Sequence, residues 1–192
     1  MTPEEQALGS VLEILTRLSI PYMLTGSVAA SYHGRPRSTH DADVVIDPLP
    51  AQLDALVAAL DAGGFYADAD GARAALAARR SFNVIEMTAA CKIDLIIRRD
   101  RDFSHEEFAR RRPVNLPFGR GVLMVTPEDS VLSKLEWARL TGDSERQLND
   151  ARAVVLMTPS LDRPYVERWA AVLGVSDLWR RVSAPAPDAT SL

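Results

Sequence analysis

Arg37-Ser38-Thr39-His40-Asp41-Ala42-Asp43-Val44-Val45-Ile46-Asp47 decides how the rest of the chain is read. Its β-branched centre, Val44-Val45-Ile46, runs into Asp47-Pro48, so 39–47 is expected to be a strand. Side chains two apart on a strand share a face. Asp41 and Asp43 therefore point the same way, with Cα atoms ~6.5–7 Å apart from the strand rise. Each carboxylate raises the other's pKa. A hard divalent cation relieves that repulsion, because Mg²⁺ takes oxygen ligands from a few carboxylates and from substrate phosphates.

Two flanking segments extend the pattern. Upstream, Tyr22-Met23-Leu24-Thr25 reads as a short strand, Gly26-Ser27 as a turn, and 28–32 as a helix. A glycine turn entering a helix offers backbone N–H groups and a positive dipole end to a phosphate, and the Ser27 hydroxyl adds a donor. Downstream, Lys92-Ile93-Asp94-Leu95-Ile96-Ile97 is an apolar strand interrupted by an acid. Such an acid is paired, bound to metal or facing a cleft. If this strand lies beside the one carrying Asp41 and Asp43, three acids converge and can hold metal for a phosphoryl displacement. Acids for metal and a Gly-Ser turn for phosphate together point to nucleoside triphosphate chemistry.

The remaining chain supplies the scaffold. Thr2-Pro3-Glu4-Glu5 is a capping box opening an amphipathic helix with Leu8, Val11, Leu12, Leu15 and Leu18 on one face. Further helices are expected over 49–62, ending at Gly63-Gly64, and over 71–80, and another opens at a Ser104/Glu107 capping box. The strands 82–87 and 91–97 form a hairpin, and a second hairpin turns near Gly119-Arg120-Gly121. From Thr126-Pro127 onward the pattern is helical: one helix to about Leu140, then one opened by Ser144 with Gln147, then pieces containing Trp169 and Trp179. The expected fold class is α/β (α+β), a mixed sheet flanked by helices and followed by a C-terminal helical region. The expected divisions are 1–125, 126–183 and a disordered tail, 184–192.

Composition narrows the class. The 192 residues are 47% apolar and 25% charged, which is ordinary for a globular chain. The single cysteine, Cys91, excludes an intrachain disulfide framework, and no apolar run reaches the ~18 residues that span a bilayer. Residues 1–5 lack the basic and apolar regions of a secretion signal, so the expectation is a cytoplasmic protein without membrane contact. A net charge of −4 argues against indiscriminate adhesion to nucleic acid. Twenty of the 22 bases are arginines; the two lysines, Lys92 and Lys134, both fall in candidate site segments.

The order Gly26-Ser27, then Arg37-x-Thr39-x-Asp41-x-Asp43, then Asp94 within a strand resembles the nucleotidyltransferase superfamily, the polymerase-beta-like fold. Within it the chain is most similar to the small prokaryotic branch that includes AbiEii-type toxins of toxin–antitoxin systems. The segment Lys134-Leu135-Glu136-Trp137-Ala138-Arg139, followed by 146–150, also resembles that branch. The resemblance implies that Asp41 and Asp43 bind Mg²⁺ or Mn²⁺, and that Asp94 is a metal ligand or the base for the acceptor hydroxyl. It implies that Gly26, Ser27, Arg37, Thr39 and Lys134 hold the nucleotide. The activity implied is transfer of a nucleoside monophosphate from an NTP to a hydroxyl of RNA (tRNA), protein or a small molecule, with a cognate antitoxin as partner.

Plainer readings stand beside these. Arg37 can brace the loop through a carboxylate, Thr39 can cap a strand end, and Lys134 can form an exposed pair with an acid on its helix. The arginines of 98–112 read as a solvated face, and Trp137, Trp169 and Trp179 as core residues of the helical end. At the level of function, a catalytically weak nucleotide- or partner-binding module of the same fold and a metal-dependent phosphohydrolase are the alternatives.

Overall fold

A computed structural model describes residues 1–36, 41–88 and 91–184. Arg37, Thr39 and the expected tail beyond 184 lie outside the described residues. The chain divides into two units: Met1–Ala29 with Arg37–Thr126, and Ala30–Pro36 with Pro127–Leu192.

The first unit is built on a seven-stranded sheet. Its strands are β1 (Tyr22–Thr25), β2 (Asp41–Ile46), β3 (Phe65–Tyr66), β4 (Ser81–Glu86), β5 (Lys92–Ile97), β6 (Arg112–Leu116) and β7 (Gly119–Met124). Their order is β3-β4-β5-β2-β1-β7-β6, which makes β2 the central strand. It runs antiparallel to β1 and parallel to β5. β4 and β5 form the expected hairpin pair, as do β6 and β7. The mixed sheet with its helices matches the fold class read from the sequence. The two-residue β3 carries no periodicity of its own and was not anticipated.

Alternation builds the core. Ala42, Val44 and Ile46 of β2 and Ile93, Leu95 and Ile97 of β5 are buried, while the intervening side chains are half-buried or exposed. Helix α1 (Pro3–Arg17) adds Leu8, Val11, Leu12 and Leu15 to this core. Its capping box forms as expected: the Glu5 N–H donates to Thr2 Oγ1 at 3.2 Å, and the Thr2 N–H donates to Glu5 Oε2 at 2.9 Å. Helix α2 (Gly26–His33) leaves β1 directly, and α3 (Pro50–Ala62) packs against α1 and α4 (Ala69–Ala78).

Helix α5 (Asp102–Arg110) begins two residues before the expected box. Ser104 is buried inside its first turn, where its hydroxyl accepts from Arg101 Nε at 3.1 Å, and so caps nothing. The arginine-rich stretch beginning at Arg98 is only partly the solvated face expected. Arg98, whose side chain is 13% exposed, donates to Asp47 at the C-terminal end of β2 through Nε at 3.0 Å, and Arg111 stacks on the Phe108 ring.

The second unit is helical: α6 (Pro127–Leu140), α7 (Glu145–Met157), α8 (Arg163–Val172) and α9 (Ser176–Ser183). Helix α6 packs on α7 and α8, and α9 packs on α7 and α8. Ser144 stands at the α7 N-cap but makes no side-chain capping bond. Trp179 is buried as expected, whereas Trp137 is 51% exposed and belongs to no core. No described helix is long and apolar enough to cross a membrane.

Candidate functional site

Strand register brings the acids of the first unit together. Asp43 of β2 is the direct partner of Asp94 on β5, and Asp41 is the partner of Lys92. Residues paired across neighbouring strands share a face, at about the 4.8 Å strand spacing. The row continues on both sides, because Thr25 of β1 pairs with Asp43 and Asn83 of β4 pairs with Asp94. Four polar residues thus cross four strands in line. Sequence reasoning did not include Thr25 or Asn83; strand order, which single-strand patterning does not show, is what places them.

Gly26 closes the row on the β1 side. Its φ is +65°, a left-handed conformation that L side chains rarely adopt. A Cβ there would lie 1.9 Å from Asp43 Oδ2, so no residue but glycine lets the turn approach that carboxylate. The sequence expectation of a tight glycine turn beside the acids thus has a steric cause. Ser27 is buried, and its hydroxyl donates to the Asp41 carbonyl at 3.1 Å. That bond ties the turn to β2.

Charge within the row is concentrated. Lys92 Nζ donates to Asp94 Oδ2 at 3.1 Å. This bond raises the ammonium above its ordinary value; burial opposes it, and the charges of Asp94, Asp41 and Asp43 reinforce it. Asp94 Oδ1 is buried, with no hydrogen-bond partner among the described residues. Among the described residues no three His, Cys, Asp or Glu side chains form a group able to hold a metal ion. The carboxylates nevertheless offer an all-oxygen donor set, with Asp94 Oδ2 held on the Lys92 ammonium. That is the chemistry a hard cation takes, a cation that completes its shell with substrate phosphates and water.

Lys134 belongs to the second unit, where it is 7% exposed and donates to Asp150 Oδ2 of α7 at 3.0 Å. It makes a buried pair with the next helix, where the plainer of the two sequence readings has an exposed pair along its own helix. Nearby in the same unit Asp129 is fully buried and accepts from the Tyr165 hydroxyl at 2.6 Å.

No family model matches the chain, and no curated protein sequence matches it. Solved structures do. The crystal structure of ANT(2'')-Ia in complex with adenylyl-2''-tobramycin is similar at TM-score 0.60 and 16% identity, over 90% of this chain and 98% of that one. An antigenic nucleotidyltransferase-like protein from Paracoccidioides brasiliensis is similar at TM-score 0.55 and 18% identity, over 95% of this chain and 94% of that one. The fold is nucleotidyltransferase-like. A solution structure of the antibiotic-resistance factor ANT(2'')-Ia agrees, at TM-score 0.55 and 15% identity over 88% of this chain and 94% of that one. At these identities the likeness concerns the fold.

Proposed function

We propose that the protein transfers a nucleoside monophosphate from an NTP to a hydroxyl of a small molecule. The observation that carries the reading is the fit of the Gly26 turn against Asp43, with Asp94 in register beside it. The turn fixes where a triphosphate meets the acids. In the reaction the acceptor oxygen bonds to the α-phosphorus, the bond to the pyrophosphate oxygen breaks, and the hydroxyl proton passes to a carboxylate of the row. Asp43 and Asp94, with Asp41, are the residues that would hold Mg²⁺ or Mn²⁺. When bound, that ion supplies charge neutralisation for the phosphate oxygens. The chain's own share is to position the reactants and to present fixed dipoles where charge develops.

Two considerations favour a small acceptor over RNA or protein. The outward-facing acids and the net charge of −4 disfavour a phosphate backbone, which binds through added basic contacts. ANT(2'')-Ia, a structural neighbour of nearly the same extent, is seen with an adenylylated small molecule, tobramycin. The AbiEii-type similarity, with its tRNA acceptor and antitoxin partner, is read from the Gly26–Asp94 block and, more generically, from the segment around Lys134. There the buried bond to Asp150 accounts for the lysine by helix packing.

The test is incubation with each α-labelled NTP and Mg²⁺ or Mn²⁺, with tobramycin and total RNA as alternative acceptors. Label on the small molecule with release of pyrophosphate, absent in Asp43→Asn, is expected. Label on RNA would return the acceptor to the nucleic-acid reading. No transfer from any NTP would favour the nucleotide-binding module.

A further inference from the structure

We infer that Lys92 is the resident cation of the carboxylate row, and that a divalent ion engages Asp94 only by displacing it. The inference rests on the reading of the row as the metal-binding part of the transferase site. Neither oxygen of Asp94 is open in the structure: Oδ2 carries the Lys92 ammonium at 3.1 Å, and Oδ1 is buried, without a partner among the described residues. Lys92 and Asp94 stand two apart on β5 and share a face, so the contact needs no rearrangement of the strand. Asp41, in register with Lys92, and Asp43, in register with Asp94, place two further negative charges beside the ammonium.

Competition follows from the chemistry of the oxygen. An ammonium and a hard cation seek the same carboxylate lone pairs, and both cannot hold Asp94 Oδ2 at once. The ammonium offsets part of the repulsion among the acids when no metal is present, and that repulsion would otherwise oppose folding. A flexible four-carbon stem allows Lys92 to leave without disturbing the backbone, and its compact charge can then follow the triphosphate. The Lys134–Asp150 pair has no such freedom, since its side chains are 9% and 12% exposed against 40% and 22% for Lys92 and Asp94.

The test uses the full chain and Mn²⁺ alone. Mn²⁺ is titrated calorimetrically into wild type, Lys92→Met, Lys92→Gln, Lys92→Arg and Asp43→Asn, and each is melted with chelator and with Mn²⁺. Lys92→Met is expected to melt below wild type in chelator. It should bind Mn²⁺ on the order of tenfold more tightly, a ratio equivalent to ~1.4 kcal/mol, and gain more from the metal. Lys92→Gln gives the same comparison should the Met variant fail to fold, and Lys92→Arg should stay near wild type. Equal or weaker Mn²⁺ binding in both neutral variants overturns the inference. If Asp43→Asn weakens Mn²⁺ binding while the Lys92 variants do not strengthen it, only this inference falls. If Mn²⁺ binds none of the proteins, the metal reading of the row falls with it.

Discussion

The chain's two lysines make nearly the same bond in different settings. Lys92 meets Asp94 at 3.1 Å and Lys134 meets Asp150 at 3.0 Å. The first pair lies within one strand, half-open, among additional acids. The second joins α6 to α7 and is almost wholly buried. A buried ion pair is held because losing either member strands a charge without water. A half-open pair flanked by surplus negative charge can be exchanged for another cation. Bond length does not separate a packing contact from an exchangeable one; the surroundings do.

The comparison can be broken most sharply at Asp43. Asp43→Asn removes charge from the row without emptying the core, so transfer should fall by at least about a thousandfold, ~4 kcal/mol in the barrier, while the far-ultraviolet circular dichroism stays native. Near-normal turnover would dissolve the distinction between the pairs. Next comes Lys134→Met, which removes the buried ammonium 3.0 Å from Asp150, and it should lose about 3–5 kcal/mol of stability in urea melts. NTP affinity measured on the remaining folded protein should be unchanged, and a selective loss of that affinity would move Lys134 into the nucleotide site.

Gly26→Ala sharpens the contrast from the backbone. The left-handed conformation alone should cost about 1–2 kcal/mol, and the added Cβ must also push Asp43 aside. Transfer should therefore drop by more than the loss of stability explains, as measured by activity at temperatures where the variant is fully folded. Asp41→Asn is milder. Relief of repulsion should leave the metal-free protein as stable as wild type or more so, with a smaller rise in melting temperature on adding Mn²⁺.

The smallest effect belongs to an exposed pair of the helical unit. Arg139 Nη2 donates to Asp177 Oδ1 at 2.6 Å, which holds that carboxyl below its ordinary value of 3.8. Because the folded value is the lower one, this contribution is fully present above pH 3.8 and is lost as pH falls through the folded value. Urea melts of wild type and Asp177→Asn should differ slightly at pH 7 and converge as the pH falls through the folded value. A difference that persists at low pH would mean that Asp177 acts through something other than its charge.

Much of this was legible because the informative residues carry period or punctuation. Alternation around Val44 and Leu95 announces two strands that bury one face, and Gly26-Ser27 announces the turn. Whether those strands are neighbours is a long-range fact with no local signature. Asp94 was therefore placed beside Asp43 only conditionally, and Thr25 and Asn83 went unnoticed. Ser104 was misread because a Ser-x-x-Glu spacing also occurs inside a helix; the hydroxyl is taken by Arg101. For Lys134 the preference for an acidic partner was readable, but not the partner's helix.

The parallel union of β2 and β5 has a consequence for the order in which the molecule comes into being. Asp47 and Arg98, which close one end of that union, lie 51 positions apart, the same offset that separates Asp43 from Asp94. Contacts of such separation form only after the entropy of closing a long loop has been overcome. On the ribosome, a chain halted before residue 92 holds the Gly26 turn and both β2 acids, yet the edge of β2 that receives β5 is still bare. An unpaired strand edge of this kind is a template for wrong partners. The hairpin that delivers β5 with β4 already attached covers that edge and completes the row of acids in one event.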